Sequence, residues 1–414
     1  MLATGKRWPG AAAWGFGRRN ALGLQHIMTG VEGNELHVDE VPVNLDLDKV
    51  QDLRRRLIGW RRAPDLGRNW ERGTPTTWIA DLLDDWHQFD VNALQGRLAA
   101  LTHYQAQVED QRVHVVRVVG SGPRPLPLLL THGWPGSFLE YLTLIPLLTD
   151  PQAHAADPID AFTLIIPSLP GFGFSGPPPH QGRTARDVAS IWHRLMTDGF
   201  GYERYAAHGS DLGAGVTGWL ARDYPTNVAG IHLATPGLAV PADRRTPAEE
   251  RFAEAIARWA MEEGGYMHEH ATKPATLAAA LSDSPAGLAA WIGEKVVAWS
   301  SERADGVPAF DRDLLLSTLT LYWATNTVAT SLLPYWAYQH AGAALPAGDP
   351  SPVPTSVTIF GGERVPFPKP PRELAERYYN VTDWSEYLAG GHFPAVAEPE
   401  ILANVIRQFF RPLR

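Results

Sequence analysis

Between residues 113 and 237 short apolar runs alternate with helix-like stretches, and this alternation limits the chain to a mostly parallel sheet covered by helices. Residues 113–119, 127–130, 162–167 and 228–233 read as strands. At about Gly237 the alternation stops, and residues 244–340 are helix-like almost throughout. Strand character returns at 357–360 and is followed by a carboxy-terminal helix. A helical block between two parts of one sheet reads as an inserted cap. Residues 35–103 also read as helical, with Val50, Leu53, Leu57 and Ile58 at helical spacing and a second stripe from Trp78 to Trp86. The expected division is an extension over 1–33, a helical amino-terminal region over 34–110, a first core part over 111–237, a cap over 238–345 and a second core part over 346–414. Residues 311–333 read as one long apolar helix, and 343–354 as the most linker-like stretch.

In a sheet of this kind the loops at the carboxyl ends of the strands form the site. The most informative of these loops is Gly209-Ser210-Asp211-Leu212-Gly213, which leaves an apolar run and enters a helix-like segment. Strand, sharp turn and helix is the context of a nucleophile elbow, whose centre in G-x-S-x-G is serine and here is Asp211. Ser210 cannot take that role, because His208 and Leu212 stand where its glycines would be needed. The competing reading is a Gly-rich turn with an acidic helix cap. Two further groups follow at strand ends, Glu363 and His392, so the order is nucleophile, acid, histidine, as in an α/β-hydrolase triad. His132-Gly133-Trp134-Pro135 leaves another strand, and the backbone N–H groups of Trp134 and Leu212 would form an oxyanion hole.

An aspartate in place of the serine attacks an alkyl carbon and gives an ester, which a histidine-activated water then hydrolyses. Alkyl halides and epoxides both suit that chemistry. An epoxide oxygen also needs a proton donor, for which the cap offers Tyr266, Tyr322, Tyr335 and Tyr338.

At 414 residues with a net charge of −9, the chain is an ordinary acidic globular protein, and neither nucleic acid nor an anionic membrane is an expected partner. It has no cysteine, which excludes disulfides, thiolate metal sites and a cysteine nucleophile and fits a reducing, cytoplasmic setting. No apolar run approaches the roughly 20 residues of a membrane span. The first 33 residues lack the apolar core and cleavage site of a signal peptide. His268-Glu269-His270 could suggest a metal, but its spacing does not converge on one face of a helix, so neither metal nor cofactor is expected.

From about residue 35 to the carboxyl terminus the chain resembles the microsomal, juvenile-hormone type of epoxide hydrolase in a soluble bacterial form. The resemblance rests on Asp52-Leu53-Arg54-Arg55-Arg56-Leu57, Trp70, Gly73-Thr74-Pro75 and Trp86 in the amino-terminal region. In the core it rests on His132-Gly133-Trp134-Pro135-Gly136-Ser137, the Asp211 elbow and Gly390-Gly391-His392-Phe393. In the cap it rests on Gly265-Tyr266-Met267-His268, Lys273-Pro274, Asp283-Ser284-Pro285-Ala286-Gly287-Leu288 and Tyr322-Trp323-Ala324-Thr325. It implies an α/β-hydrolase fold with an inserted cap and a wrapping amino-terminal segment. It also implies an epoxide and water as the small-molecule partners, and a vicinal diol as product. By this resemblance Asp211 is the nucleophile, His392 the base, Glu363 its orienting acid and Tyr266 a proton donor. The second donor falls on Tyr335, with Tyr338 left open because Pro334-Tyr335-Trp336-Ala337-Tyr338 departs from the family pattern. Trp134, Phe172, Trp336 and Tyr338 are expected to line a hydrophobic pocket. A haloalkane dehalogenase and a non-catalytic binding protein are the rival readings; Leu212, where many dehalogenases carry tryptophan, counts against the first. The sequence leaves homodimerisation open, and both detoxification and secondary metabolism as settings.

Overall fold

A computed structural model describes residues 36–67, 69–243, 245–303, 305–342 and 344–414. The extension read over residues 1–33 lies outside the described residues. Nine strands form one sheet: β1 Val38–Glu40, β2 His103–Val108, β3 Gln111–Val118, β4 Leu126–Thr131, β5 Phe162–Pro167, β6 Tyr205–Ser210, β7 Val228–Ala234, β8 Ser351–Gly361 and β9 Tyr379–Gly390. Their order is β1-β2-β3-β5-β4-β6-β7-β8-β9. β1, β2, β3 and β5 are joined by antiparallel pairings, and every pairing from β5 to β9 is parallel. This is the α/β-hydrolase architecture.

Interior parallel strands are covered on both faces, which explains why they read as unbroken apolar runs. β5 and β7 are buried at every position. β9 lies at the edge, and most of its residues are only partly covered. It was not legible as a strand for that reason, and neither were the short outer strands β1 and β2. β1 therefore corrects the reading of residues 35–103 as helical throughout. β8 corrects another expectation: it begins at Ser351, inside the stretch read as a linker.

Between β7 and β8 the chain inserts seven helices, Pro247–Glu262, Gly265–Thr272, Pro274–Asp283, Pro285–Trp299, Arg312–Thr325, Val328–Ser331 and Leu333–Ala341. The long helix read over 311–333 is thus broken. Asn326 takes the left-handed conformation at φ 55° and closes the first segment, with its N–H and that of Thr327 donating to Trp323 and Tyr322 carbonyls. Asparagine is one of the few side chains that tolerates this cap geometry.

Among the described residues three helices precede the core strands, Leu47–Ile58, Thr76–Gln88 and Val91–Ala99. Val50, Leu53 and Leu57 are buried, whereas Ile58 is exposed. These helices lean on the inserted block. The Trp86 indole N–H donates to Thr320 Oγ1 at 2.9 Å, and the Trp323 indole N–H to the Lys49 carbonyl at 3.2 Å. Arg56 reaches Asp283 at 2.7 Å, and Thr74 reaches the Ala290 carbonyl at 3.0 Å. Gly293 lets Trp78 approach, since a β-carbon there would lie 2.7 Å from the indole.

Candidate active site

β6 ends at Ser210, and the helix Leu212–Asp223 begins one residue later, so Asp211 must turn the chain alone. It does so at φ 49°, ψ −125°, a conformation rare for a side chain other than glycine. Asp211 stands at the cap position, yet its side chain accepts no hydrogen bond from the helix it precedes, so the reading as a capping residue does not hold. The flanking glycines have a steric cause. A β-carbon on Gly209 would lie 2.2 Å from the Gly213 carbonyl oxygen, and one on Gly213 would lie 2.0 Å from that of Thr131.

The carboxylate is held on two sides. The Trp134 N–H donates to Asp211 Oδ1 at 2.7 Å, and His392 Nε2 lies 3.4 Å from Oδ2. Gly133 makes the first contact feasible, because a β-carbon there would lie 2.2 Å from Oδ1. The Leu212 N–H is next in sequence, in the first helical turn, where N–H groups have no intrahelical acceptor. His132 anchors this turn and does no more. Its Nε2 accepts from the Leu169 N–H at 3.2 Å, so Nδ1 carries the proton toward the Gly133 carbonyl, and burial pushes its pKa down to about 4.

Across from Asp211 the insertion contributes an aromatic group. The Trp134 indole stacks on Tyr266 at 5.4 Å and meets Tyr335 edge-on at 6.0 Å. Tyr266 and Tyr335 also meet edge-on, 6.0 Å apart. Burial lifts both phenols well above their ordinary range, and the Asp211 charge lifts them further. Trp299 connects Tyr266 to His392, with ring centres 5.2 and 4.9 Å apart.

Several residues anticipated at the site are placed otherwise. Tyr338 is 52% exposed, and only burial acts on its phenol, with no contribution from Asp211. Trp336 stacks on exposed His340 at 4.1 Å, on a different face of the helix from Tyr335. Neither joins the ring contacts that link Trp134, Tyr266, Trp299 and Tyr335. Phe172 is fully buried beneath the Trp134 turn, 5.3 Å from the His132 ring and 6.4 Å from Tyr322. Glu363 follows β8 and is buried, but no ion pair or hydrogen bond joins its carboxylate to His392; Lys369 holds it instead. Backbone bonds nevertheless bring the two loops together, since the Arg364 N–H donates to Ser300 and the His392 N–H to Trp299.

Sequence reasoning missed four neighbours of the site: Trp299, His270, Lys369 and Glu140. His270 lies 4.8 Å from Trp134 and 4.9 Å from Tyr335, and its Nε2 accepts from the Trp291 indole. Among the described residues no cluster of three or more potential ligands is arranged for a metal.

The chain matches the model of the epoxide hydrolase N terminus over residues 38–141 and that of the alpha/beta hydrolase fold over 127–263. A Stigmatella aurantiaca protein provisionally named an epoxide hydrolase is 38% identical over 371 residues, 88% of this chain and 83% of the relative. Epoxide hydrolase 1 of Oryctolagus cuniculus is 32% identical, over 87% of this chain and 86% of the relative. The crystal structure of juvenile hormone epoxide hydrolase from Bombyx mori superposes with a TM-score of 0.77 at 29% identity, covering 91% of this chain and 94% of that one. An aspartate elbow on an α/β-hydrolase sheet, preceded by this amino-terminal region, defines a class of hydrolase. The chain belongs to the epoxide hydrolase family, in its microsomal and juvenile-hormone branch.

Proposed function

We propose that the protein hydrates an epoxide to a vicinal diol through an ester on Asp211. The observation that carries this reading is the pairing of the strained, doubly held Asp211 carboxylate with two buried phenols that sense its charge. Asp211 Oδ2 attacks an epoxide carbon, the carbon–oxygen bond breaks, and Tyr266 or Tyr335 gives its proton to the departing oxygen. His392 then takes a proton from water, whose oxygen adds to Asp211 Cγ. The negative charge that develops on Oδ1 is met by the Trp134 and Leu212 N–H groups. Collapse releases the diol, and the proton on His392 returns to the tyrosinate. Glu363 is assigned the orienting acid, which requires its carboxylate to leave Lys369 for the imidazole. Phenols whose pKa is raised stay protonated near neutrality, as a donor to oxygen must; a departing halide would need no such donor. The apolar rings of Trp134, Tyr266, Trp299 and Tyr335 favour a hydrophobic or aromatic epoxide.

Single-turnover hydration of styrene oxide in oxygen-18 water tests this. Label is expected in the Asp211 carboxylate, with an unlabelled first-turnover diol, and Asp211→Asn is expected to lose turnover by at least about a thousandfold. Diol labelled directly from water, with Asp211 clean, would exclude the ester.

A further inference from the structure

Beside Asp211 lies a cavity of about 10 Å³, whose lining includes Trp134 but neither Tyr266 nor Tyr335. That is about the space one water centre occupies. Its walls include Asp211, His392, Ser210, His208 and Glu140, closed by Gly133 and Gly136. Glu140 is the carboxyl here that the chemistry above does not use.

Its placement is specific. Glu140 is only 7% exposed. Ser137-Phe138-Leu139-Glu140 has capping-box spacing, and Ser137 does cap the short turn, accepting from the Leu139 N–H at 3.3 Å. Glu140 makes no reciprocal bond to the Ser137 backbone. Instead its carboxyl fills the space that Gly136 leaves: a β-carbon on Gly136 would lie 2.2 Å from Glu140 Oε2. The Tyr322 hydroxyl donates to the Gly136 carbonyl at 3.3 Å and fixes this turn from the cap side. The neighbouring Tyr141 hydroxyl is set against the Glu140 carboxyl, which otherwise faces the cavity. A buried carboxyl has more lone pairs than one hydroxyl can satisfy, and leaving the rest bare is expensive unless water reaches them.

We propose that Glu140 is a further catalytic residue, which with His392 holds the water that hydrolyses the Asp211 ester. This rests on the ester reading above. The water gives one hydrogen to His392 Nε2 as its oxygen attacks Cγ. Its other hydrogen stays in a bond to a Glu140 carboxyl oxygen, so Glu140 neither gains nor loses a proton in the step. Burial, and then the Asp211 charge, push the Glu140 carboxyl up to about 8, so the neutral acid persists near pH 7 beside the nucleophile. That spares the free enzyme a second negative charge beside Asp211.

The test separates the two half-reactions in the full chain by rapid quench and intact-protein mass spectrometry, with styrene oxide as substrate. In Glu140→Met, ester formation is expected to stay within about threefold of wild type while ester hydrolysis slows about 10- to 100-fold, so that alkylated enzyme accumulates. Glu140→Gln keeps an oxygen acceptor in the same place and is expected to recover most of the hydrolysis rate. It also decides the matter should the methionine variant misfold, because hydrolysis slowed about two- to tenfold with unchanged alkylation is the expected result. Wild-type hydrolysis in both variants, or equal slowing of both half-reactions, would overturn the role. His392→Gln serves as the control. If it forms no alkylated enzyme, the ester reading itself falls and takes the Glu140 proposal with it.

Discussion

Tyr335 and Tyr338 stand almost one helical turn apart, yet only Tyr335 senses Asp211. Replacing Tyr335 with Phe is expected to lower the alkylation rate about 100-fold, while Tyr338→Phe stays within about twofold, as read by single-turnover kinetics. A larger loss from Tyr338→Phe would contradict this placement. Sequence reasoning carried both residues forward because helical spacing gives relative positions along a face, while which face meets Asp211 depends on how the helix docks. Asp211 and His392 were easier to nominate. Each sits in a local strand–glycine–turn pattern whose steric demands are written in adjacent residues, such as Gly209 and Gly213. Glu140 was hidden for the opposite reason. Its serine three residues before makes it look like a helix cap, and only the tertiary approach of Gly136 and Asp211 shows otherwise.

At the scale of elements, the loop after β8 holds a competition. Glu363 is nearly buried and paired with Lys369, whose ammonium is pulled down from its usual range by burial, against the attraction of Glu363. Lys369→Met would release the carboxylate toward His392. Ester hydrolysis is expected to rise about two- to tenfold, while stability falls by about 3 kcal/mol because a buried charge loses its partner. Stopped-flow kinetics and chemical denaturation together check this, and a slower hydrolysis would mean that Lys369 positions Glu363 productively. The strands that sequence reasoning recovered, β3 through β7 and the second half of β8, are the ones most deeply covered, and burial is what makes a strand readable. β1, β2 and β9 carry polar residues on an open side or edge, so their pattern merges with that of loops. The same logic misjudged residues 311–333. Apolar content continues through Asn326, and only its backbone conformation ends the helix.

Among the described residues six histidines, His103, His114, His132, His208, His232 and His270, are buried, and burial disfavours their charged forms. Burial lowers His132 and His208 to about 4 and His270 to about 3, with Lys295 adding to the last. In the unfolded chain these groups take up protons below about pH 6.5, and in the folded chain they resist until near pH 4. Stability from each is therefore full above 6.5 and lost as the pH falls, by about 1.4 kcal/mol per unit. Glu140 acts in the other direction, since its folded carboxyl holds a proton up to about 8, and its contribution is lost as the pH rises from about 4.5. Three protons against one leave a net acid loss between about pH 6.5 and 4.5. Urea denaturation at pH 7 and 5 is expected to give a clearly lower midpoint at pH 5. Equal midpoints would show that these imidazoles protonate freely in the folded state.

The contacts of Trp86 with Thr320, Trp323 with Lys49 and Trp78 with Gly293 have a consequence for how such enzymes can be recombined. The inserted helices and the helices of residues 47–99 are far apart in sequence but pack as a single unit. A chimaera that borrows only the insertion would expose these tryptophan sockets to solvent. One that borrows both segments would bring its own buttress, and substrate preference would travel with the pair rather than with either piece.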